Sequence, residues 1–146
     1  MNLPLKTAAW ALTLGGLIPF IGLAGVSAWM PAHAELAFRA LIAYGMVILS
    51  FVGAIHWGAV FNKASYQGGW PLAWGVIPSL WAWVTGLYPP HLQPLWLVAG
   101  LLLALGVDMV AYRRYGFPVW VLSMRWVATI GASLSLAALA FNERLV

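Results

Sequence analysis

Apolar runs and polar breaks alternate along this chain at the period of a lipid bilayer. The apolar stretches are residues 8–29, 38–60, 71–88, 92–112 and 118–141, each close to the length of about 20 residues that a helix needs to cross a hydrocarbon layer. The segments between them, MPAHAELA, FNKASYQGGW, YPPHLQP and YRRYGFP, carry the prolines, glycines and charges that end helices. The pattern predicts an all-α fold: one transmembrane domain over residues 1–146, a polytopic bundle of five membrane-spanning helices. None of the joints is long enough to hold a soluble domain.

Composition sharpens this reading. A chain that is 64% hydrophobic and 7% charged cannot present the polar surface of a soluble domain. The absence of cysteine excludes disulfides, thiolate nucleophiles and sulfur-ligated metals. The net charge of +4 includes no long basic run, so it points to membrane orientation and anionic lipid and not to a nucleic-acid partner.

The first apolar stretch has a competing reading. Ala32-His33-Ala34 resembles a leader-peptidase site. A leader core runs only about 7 to 15 residues, so the longer stretch from Ala8 to Trp29 is expected to stay as a helix of the bundle. With the N-terminus inside, the inner face holds Lys6, Lys63, Arg113 and Arg114, and the outer face holds Arg39 and Arg144 beside Glu35 and Glu143. The basic excess therefore favours an inside N-terminus and an outside C-terminus. In that frame Trp10, Trp57, Trp70, Trp120 and Tyr112 fall near the inner boundary, and Trp29, Trp96 and Tyr88 near the outer one.

Three ionisable residues lie inside the predicted spans, and their heads could meet at one depth, with the long Arg125 side chain bending back toward the inner surface. His56 lies about 6 Å from the inner end of the second span, Asp108 at a similar depth in the fourth, and Arg125 about 10 Å into the fifth. An intramembrane Asp or Arg costs at least about 2.5 kcal/mol unless paired or hydrated. The simplest arrangement therefore joins Asp108 to Arg125 with His56 hydrogen-bonded alongside. Independent snorkelling of the same residues to headgroup water is the bland alternative, and a substrate- or proton-handling site the sharper one. Pro19 and Pro78 free the carbonyls of Gly15 and Trp74, which guanidinium or imidazole could use. As a metal ligand His56 lacks a second His or carboxylate at helical spacing, so no metal is implied.

In the third span Trp70, Trp74, Pro78, Trp81 and Thr85 share one face at helical spacing. Such a stripe is expected either to line a lipid-facing groove for a flat apolar ligand or, more ordinarily, to pack against a neighbour. Small residues spaced by four, Ala54-Gly58, Ala128-Ala132 and Gly131-Ser135, permit close helix approach.

The stretch YGMVILSFVGAIHWG, with Tyr44, Ile48, Leu49, Ser50, Phe51, Gly53, Trp57 and Gly58, is the most specific motif. Together with WGVIPSLWAW, the Asp of LGVDMVAYRRYG and PVWVLSMRW, it resembles the small bacterial membrane proteins related to mitochondrial transmembrane protein 69, a family of unknown function. The resemblance covers nearly the whole chain. It implies a multi-pass protein of the bacterial inner (cytoplasmic) membrane or of the mitochondrial line of descent, with no activity to carry over.

The function expected is that of a noncatalytic accessory or assembly protein, or a binder of an apolar ligand such as a lipid or quinone. The candidate polar cluster is His56, Asp108 and Arg125, with Ser50 and Tyr44 on the same motif helix. The candidate aromatic groove is Trp74, Trp81 and Pro78. The alternative is a small proton-linked carrier in which His56 and Asp108 titrate and Arg125 attracts an anionic head. An enzyme ranks last, since Ser50 lies six residues from His56, well round the same helix. No cofactor is implied. Expected partners are membrane lipids, an apolar small molecule or membrane protein, and a second copy of the chain.

Overall fold

The computed structural model describes residues 4–62 and 68–141. Lys63, Glu143 and Arg144, which entered the orientation argument, lie outside the described residues. The helices are α1 (Leu5–Trp29), α2 (Ala34–Asn62), α3 (Trp70–Thr85), α4 (Gln93–Tyr115) and α5 (Val119–Ala140), with a 3-10 turn at Pro31–His33 between α1 and α2. Their ends follow from local chemistry. Pro71 and Pro94 sit in the first turns of α3 and α4, where no amide hydrogen is needed, and Pro118 caps α5. Gly116 closes α4 in the left-handed conformation, φ 68°, its N–H directed to the Arg113 and Tyr112 carbonyls.

Helix α2 is the hub. It packs along α3, α1 and α4, while α5 closes the bundle against α4 and α1. The main core joins Phe20, Phe38, Leu41, Leu49, Val52, Leu97, Leu101 and Leu136. A second cluster of Ala59, Ala111, Tyr112 and Tyr115 fills the end where α4 turns into α5. The outside is apolar too: Leu12, Phe51, Trp83 and Leu134 are all exposed. Water would not tolerate such a surface, and acyl chains solvate it.

Among the described residues four helices, α1, α2, α4 and α5, are long and apolar enough to cross a membrane. The span expected over residues 71–88 is shorter than that. α3 has 16 residues, about 24 Å at 1.5 Å per residue, because Gly86 takes over at Thr85 and Leu87 and Tyr88 belong to the following turn. The other helices extend the expected spans by a few residues or match them.

A tight helix crossing forms away from the expected small-residue pair in α2. Ala54 and Gly58 face outward, and a Cβ on Gly58 would meet nothing within 4 Å. Instead Gly53 of α2 sits against Gly75 of α3, where a Cβ on Gly53 would strike the Gly75 carbonyl and one on Gly75 would strike the Trp57 indole. Trp57 Nε1 donates to the Leu72 carbonyl at 2.9 Å and bolts the same crossing. In α5 the expected spacing is used: Gly131 receives Leu17 of α1, and a Cβ there would lie 2.9 Å from Leu17 Cδ2.

Gly53→Ala and Gly75→Ala are each expected to lower the unfolding free energy by about 1–3 kcal/mol through overpacking. Gly58→Ala, with open space around it, is expected to leave stability unchanged or slightly raised. Denaturation of the three variants in one detergent and lipid mixture, followed by circular dichroism, checks the contrast.

Candidate functional site

The inward faces of α2, α4 and α5 each carry one of His56, Asp108 and Arg125 among mostly apolar residues at helical spacing. On α2 the buried run is Leu49, Val52, Gly53 and His56; on α4 it is Leu101, Ala104, Leu105, Asp108, Ala111, Tyr112 and Tyr115; on α5 it is Arg125, Thr129, Ala132 and Leu136. Once those faces pack, the three ionisable groups must meet or remain unpaired in a medium of low dielectric constant.

They meet on one carboxylate. Asp108 Oδ1 lies 3.0 Å from His56 Nε2, and Oδ2 accepts from Arg125 Nε at 2.8 Å. His56 Nδ1 lies 2.8 Å from the Tyr115 hydroxyl, so both ring nitrogens are engaged. An ionised Asp108 accepts from Nε2–H, which leaves Nδ1 to accept the Tyr115 proton when the imidazole is neutral. His56 and Asp108 are 0% exposed and Arg125 is 7% exposed, so Arg125 does not snorkel to the surface.

Aromatic rings close over the imidazole. Centroids of Tyr115, Tyr112, Trp70 and Trp74 lie 5.6, 6.0, 6.3 and 6.5 Å from that of His56. Tyr112, placed by sequence in an interfacial belt, is instead buried in this cluster. Tyr115 lies beyond residue 112, where the apolar pattern ends the fourth span, and so stands outside the expected cluster. Its signal was available: Asp108, Tyr112 and Tyr115 stand at i, i+4 and i+7 on one helix face.

Other expected members lie elsewhere. Ser50 turns back onto its own helix, donating to the Met46 carbonyl at 2.9 Å. Tyr44 reaches α1, where its hydroxyl donates to the Gly16 carbonyl at 3.0 Å and its ring meets Phe20 edge-on at 5.0 Å. The carbonyls of Gly15 and Trp74 were expected to serve the cluster. The side-chain donors that reach backbone near the two prolines are instead Tyr44 and Trp57, onto Gly16 and Leu72, while guanidinium and imidazole bind Asp108 and Tyr115.

The α3 stripe does not form one lipid-facing groove. Pro78 and Thr85 are buried, Trp74 turns toward His56, and Trp81 donates to the Trp96 carbonyl at 2.8 Å while its ring packs at Gly100. Trp81 contributes to a shallow surface hollow with Ile77, Leu80, Val84, Tyr88 and Trp96, without Trp74 or Pro78.

A larger space opens on the other side of the bundle. Between α1, α2 and α5 lies a cavity of about 440 Å³, within the range of about 300–1,000 Å³ usual for small-molecule sites. Small residues make the room: Ala9 and Gly16 on α1, and Ala128 and Ala132 on α5. The α1 lining precedes Pro19 except for Phe20. Arg125, Thr129, Thr13 and Tyr44 are the polar residues of an otherwise apolar lining, and exposed Leu12 and Phe51 stand among the lining residues on α1 and α2.

Fold and site together define a multi-helix membrane protein with a buried Tyr–His–Asp–Arg chain beside a cavity. The chain belongs to the family described as "Protein of unknown function (DUF3429)", whose model matches residues 5–141. It is similar to transmembrane protein 69 of Xenopus tropicalis, 33% identical over 139 residues, covering 90% of this chain and 53% of the relative. The mouse protein of the same name is 30% identical over 141 residues, covering 92% and 56%. The chain thus spans about half the length of the curated relatives it matches. No solved structure matches it.

Asp108→Asn is expected to destabilise the bundle by about 3–5 kcal/mol, because it leaves the Arg125 charge buried without its counter-ion. Adding Arg125→Met should recover at least half of that loss. Unfolding free energies of the two single variants and the double variant form a cycle that reads the coupling directly.

Proposed function

We propose that this protein is a noncatalytic membrane component that binds an apolar ligand in the α1/α2/α5 cavity. The cavity is the observation that carries the reading: it is large enough for a ligand's head and part of its tail, and its wall is mostly apolar. Leu12 and Phe51 are both lining residues and strongly exposed ones, which fits a lateral mouth through which a molecule dissolved in the bilayer enters. On this reading α3 is a short fifth membrane helix braced against α2, the N-terminus faces the basic, inner side, and the membrane is the bacterial cytoplasmic one.

The state of the charged cluster favours binding over chemistry. A general base needs a free lone pair within reach of substrate. Both ring nitrogens of His56 and both oxygens of Asp108 already have side-chain partners, and both residues are fully buried. The same closure weighs against proton-linked carriage, which needs His56 or Asp108 to open to a path. The cluster serves to hold α2, α4 and α5 in register and to set one wall of the cavity.

Wild-type protein purified gently from its own membranes is expected to carry an apolar molecule detectable by native mass spectrometry. Ala128→Phe fills the cavity from α5 and is expected to reduce that occupancy about tenfold or more, the equivalent of a 1.4 kcal/mol clash. Its melting temperature should stay near that of the wild type. Equal occupancy in both proteins would overturn the reading.

A further inference from the structure

We propose that the cavity selects its ligand by a neutral carbonyl oxygen, received by Arg125 and Thr129, on an otherwise apolar body. This rests on the cavity-binding reading above and adds the chemistry of the head group.

Two buried donors at the cavity wall lack partners. Arg125 engages Asp108 through Nε alone, and its Nη2 is buried without a hydrogen bond. Thr129 is 1% exposed, and its hydroxyl is buried and unpartnered as well. Both residues line the cavity, one helical turn apart on α5. Thr129 departs from the commoner pattern of this protein's helical hydroxyls. Hydroxyls in apolar helices ordinarily donate to the carbonyl four residues earlier, and Ser50, Thr85, Ser123 and Ser135 all do so here. Thr129 leaves that option unused. Ser133 Oγ, Trp74 Nε1 and Tyr112 Oη are also buried without a hydrogen bond, but none of those residues lines the cavity.

An unsatisfied buried donor weakens a fold unless something else uses it. Two of them beside one apolar cavity fit an acceptor arriving with a ligand. Neither atom has appreciable accessible surface, so the head reaches them by a χ1 turn of Thr129 between staggered rotamers and a small shift of the guanidinium end.

Charge decides which acceptor. Arg125 carries one formal positive charge, and Asp108, its ion-pair partner at 2.8 Å, carries one negative charge. The ion pair sums to zero. A carboxylate or phosphate head would add an uncompensated negative charge to an apolar space, which is heavily disfavoured. A neutral carbonyl accepts the same hydrogen bonds without that penalty. Quinones and acyl esters are abundant bilayer molecules that present one.

The test uses the full chain in lipid nanodiscs, with binding by native mass spectrometry expressed as mole fraction in lipid. The probes are decyl-benzoquinone, methyl dodecanoate, dodecanoate at pH 8 and dodecylbenzene. We expect the two carbonyl probes to bind about tenfold or more above dodecylbenzene, with dodecanoate no better than dodecylbenzene. The stronger of the two carbonyl probes names the source, quinone or ester.

Thr129→Val removes one donor at nearly constant volume and should cut carbonyl binding several-fold while leaving dodecylbenzene unchanged. Its melting temperature without ligand should equal or exceed that of the wild type, since a buried unpartnered hydroxyl has gone. Tightest binding by dodecanoate would overturn the neutral-head claim. Equal binding of all four probes, unmoved by Thr129→Val, would overturn carbonyl recognition and leave the cavity reading standing. No binding of any probe, or binding that Ala128→Phe does not displace, would sink the cavity reading itself.

Discussion

The structure depends on a single carboxylate. Asp108 sits with no water exposure and divides its two oxygens between His56 on α2 and Arg125 on α5. In water such contacts would contribute little, but inside a bundle the alternative to pairing is a bare charge in a medium of low dielectric constant. A one-turn slip of any of the three helices, about 5.4 Å, would move a partner out of hydrogen-bond reach. The triad therefore acts as a register mark that apolar packing alone cannot provide, since one leucine face slides past another at modest cost. Tyr115 completes the constraint from the end of α4 by engaging the remaining nitrogen of His56.

That register also shapes the cavity. With α5 tied to α4 through Asp108 and Arg125, α1 is left to close the bundle against α2 and α5. It does so through Leu17 against Gly131 and through Phe20 and Tyr44. Toward its N-terminus, before Pro19, α1 faces small side chains on α5 and the apolar run from Ile48 to Ile55 on α2, and space remains. Arg125 belongs to both features, since its Nε bonds Asp108 and the residue also lines the cavity, whereas Thr129 lines the cavity and has no side-chain bond to lose.

The family match, and the two relatives of about twice this length, put the same helical region inside longer proteins named for crossing membranes. The stretch that aligns covers about nine-tenths of this chain. Its buried polar groups occur within the stretches that align, and whatever lies outside that part in the relatives belongs to them.

Much of this was legible in the chain itself. Apolar length announced the helices, because hydrocarbon thickness sets how many residues must be apolar, and Pro and Gly marked their ends. The common depth of His56, Asp108 and Arg125 followed from counting residues along rods of known rise. Other features were decided only by packing. Periodicity cannot say which small-residue pair meets a neighbour, so Gly53–Gly75 formed the crossing while Ala54–Gly58 faced outward. It offered an inward face for the α3 tryptophans without requiring it, and it could not foresee that Tyr44 and Trp57 would take the carbonyls near the prolines. The cavity had no signature at all, since a void is a property of several helices at once. Hydrophobicity and rise are local quantities that one strand of text carries, whereas azimuth, partner choice and empty volume exist only once all the helices have settled against each other.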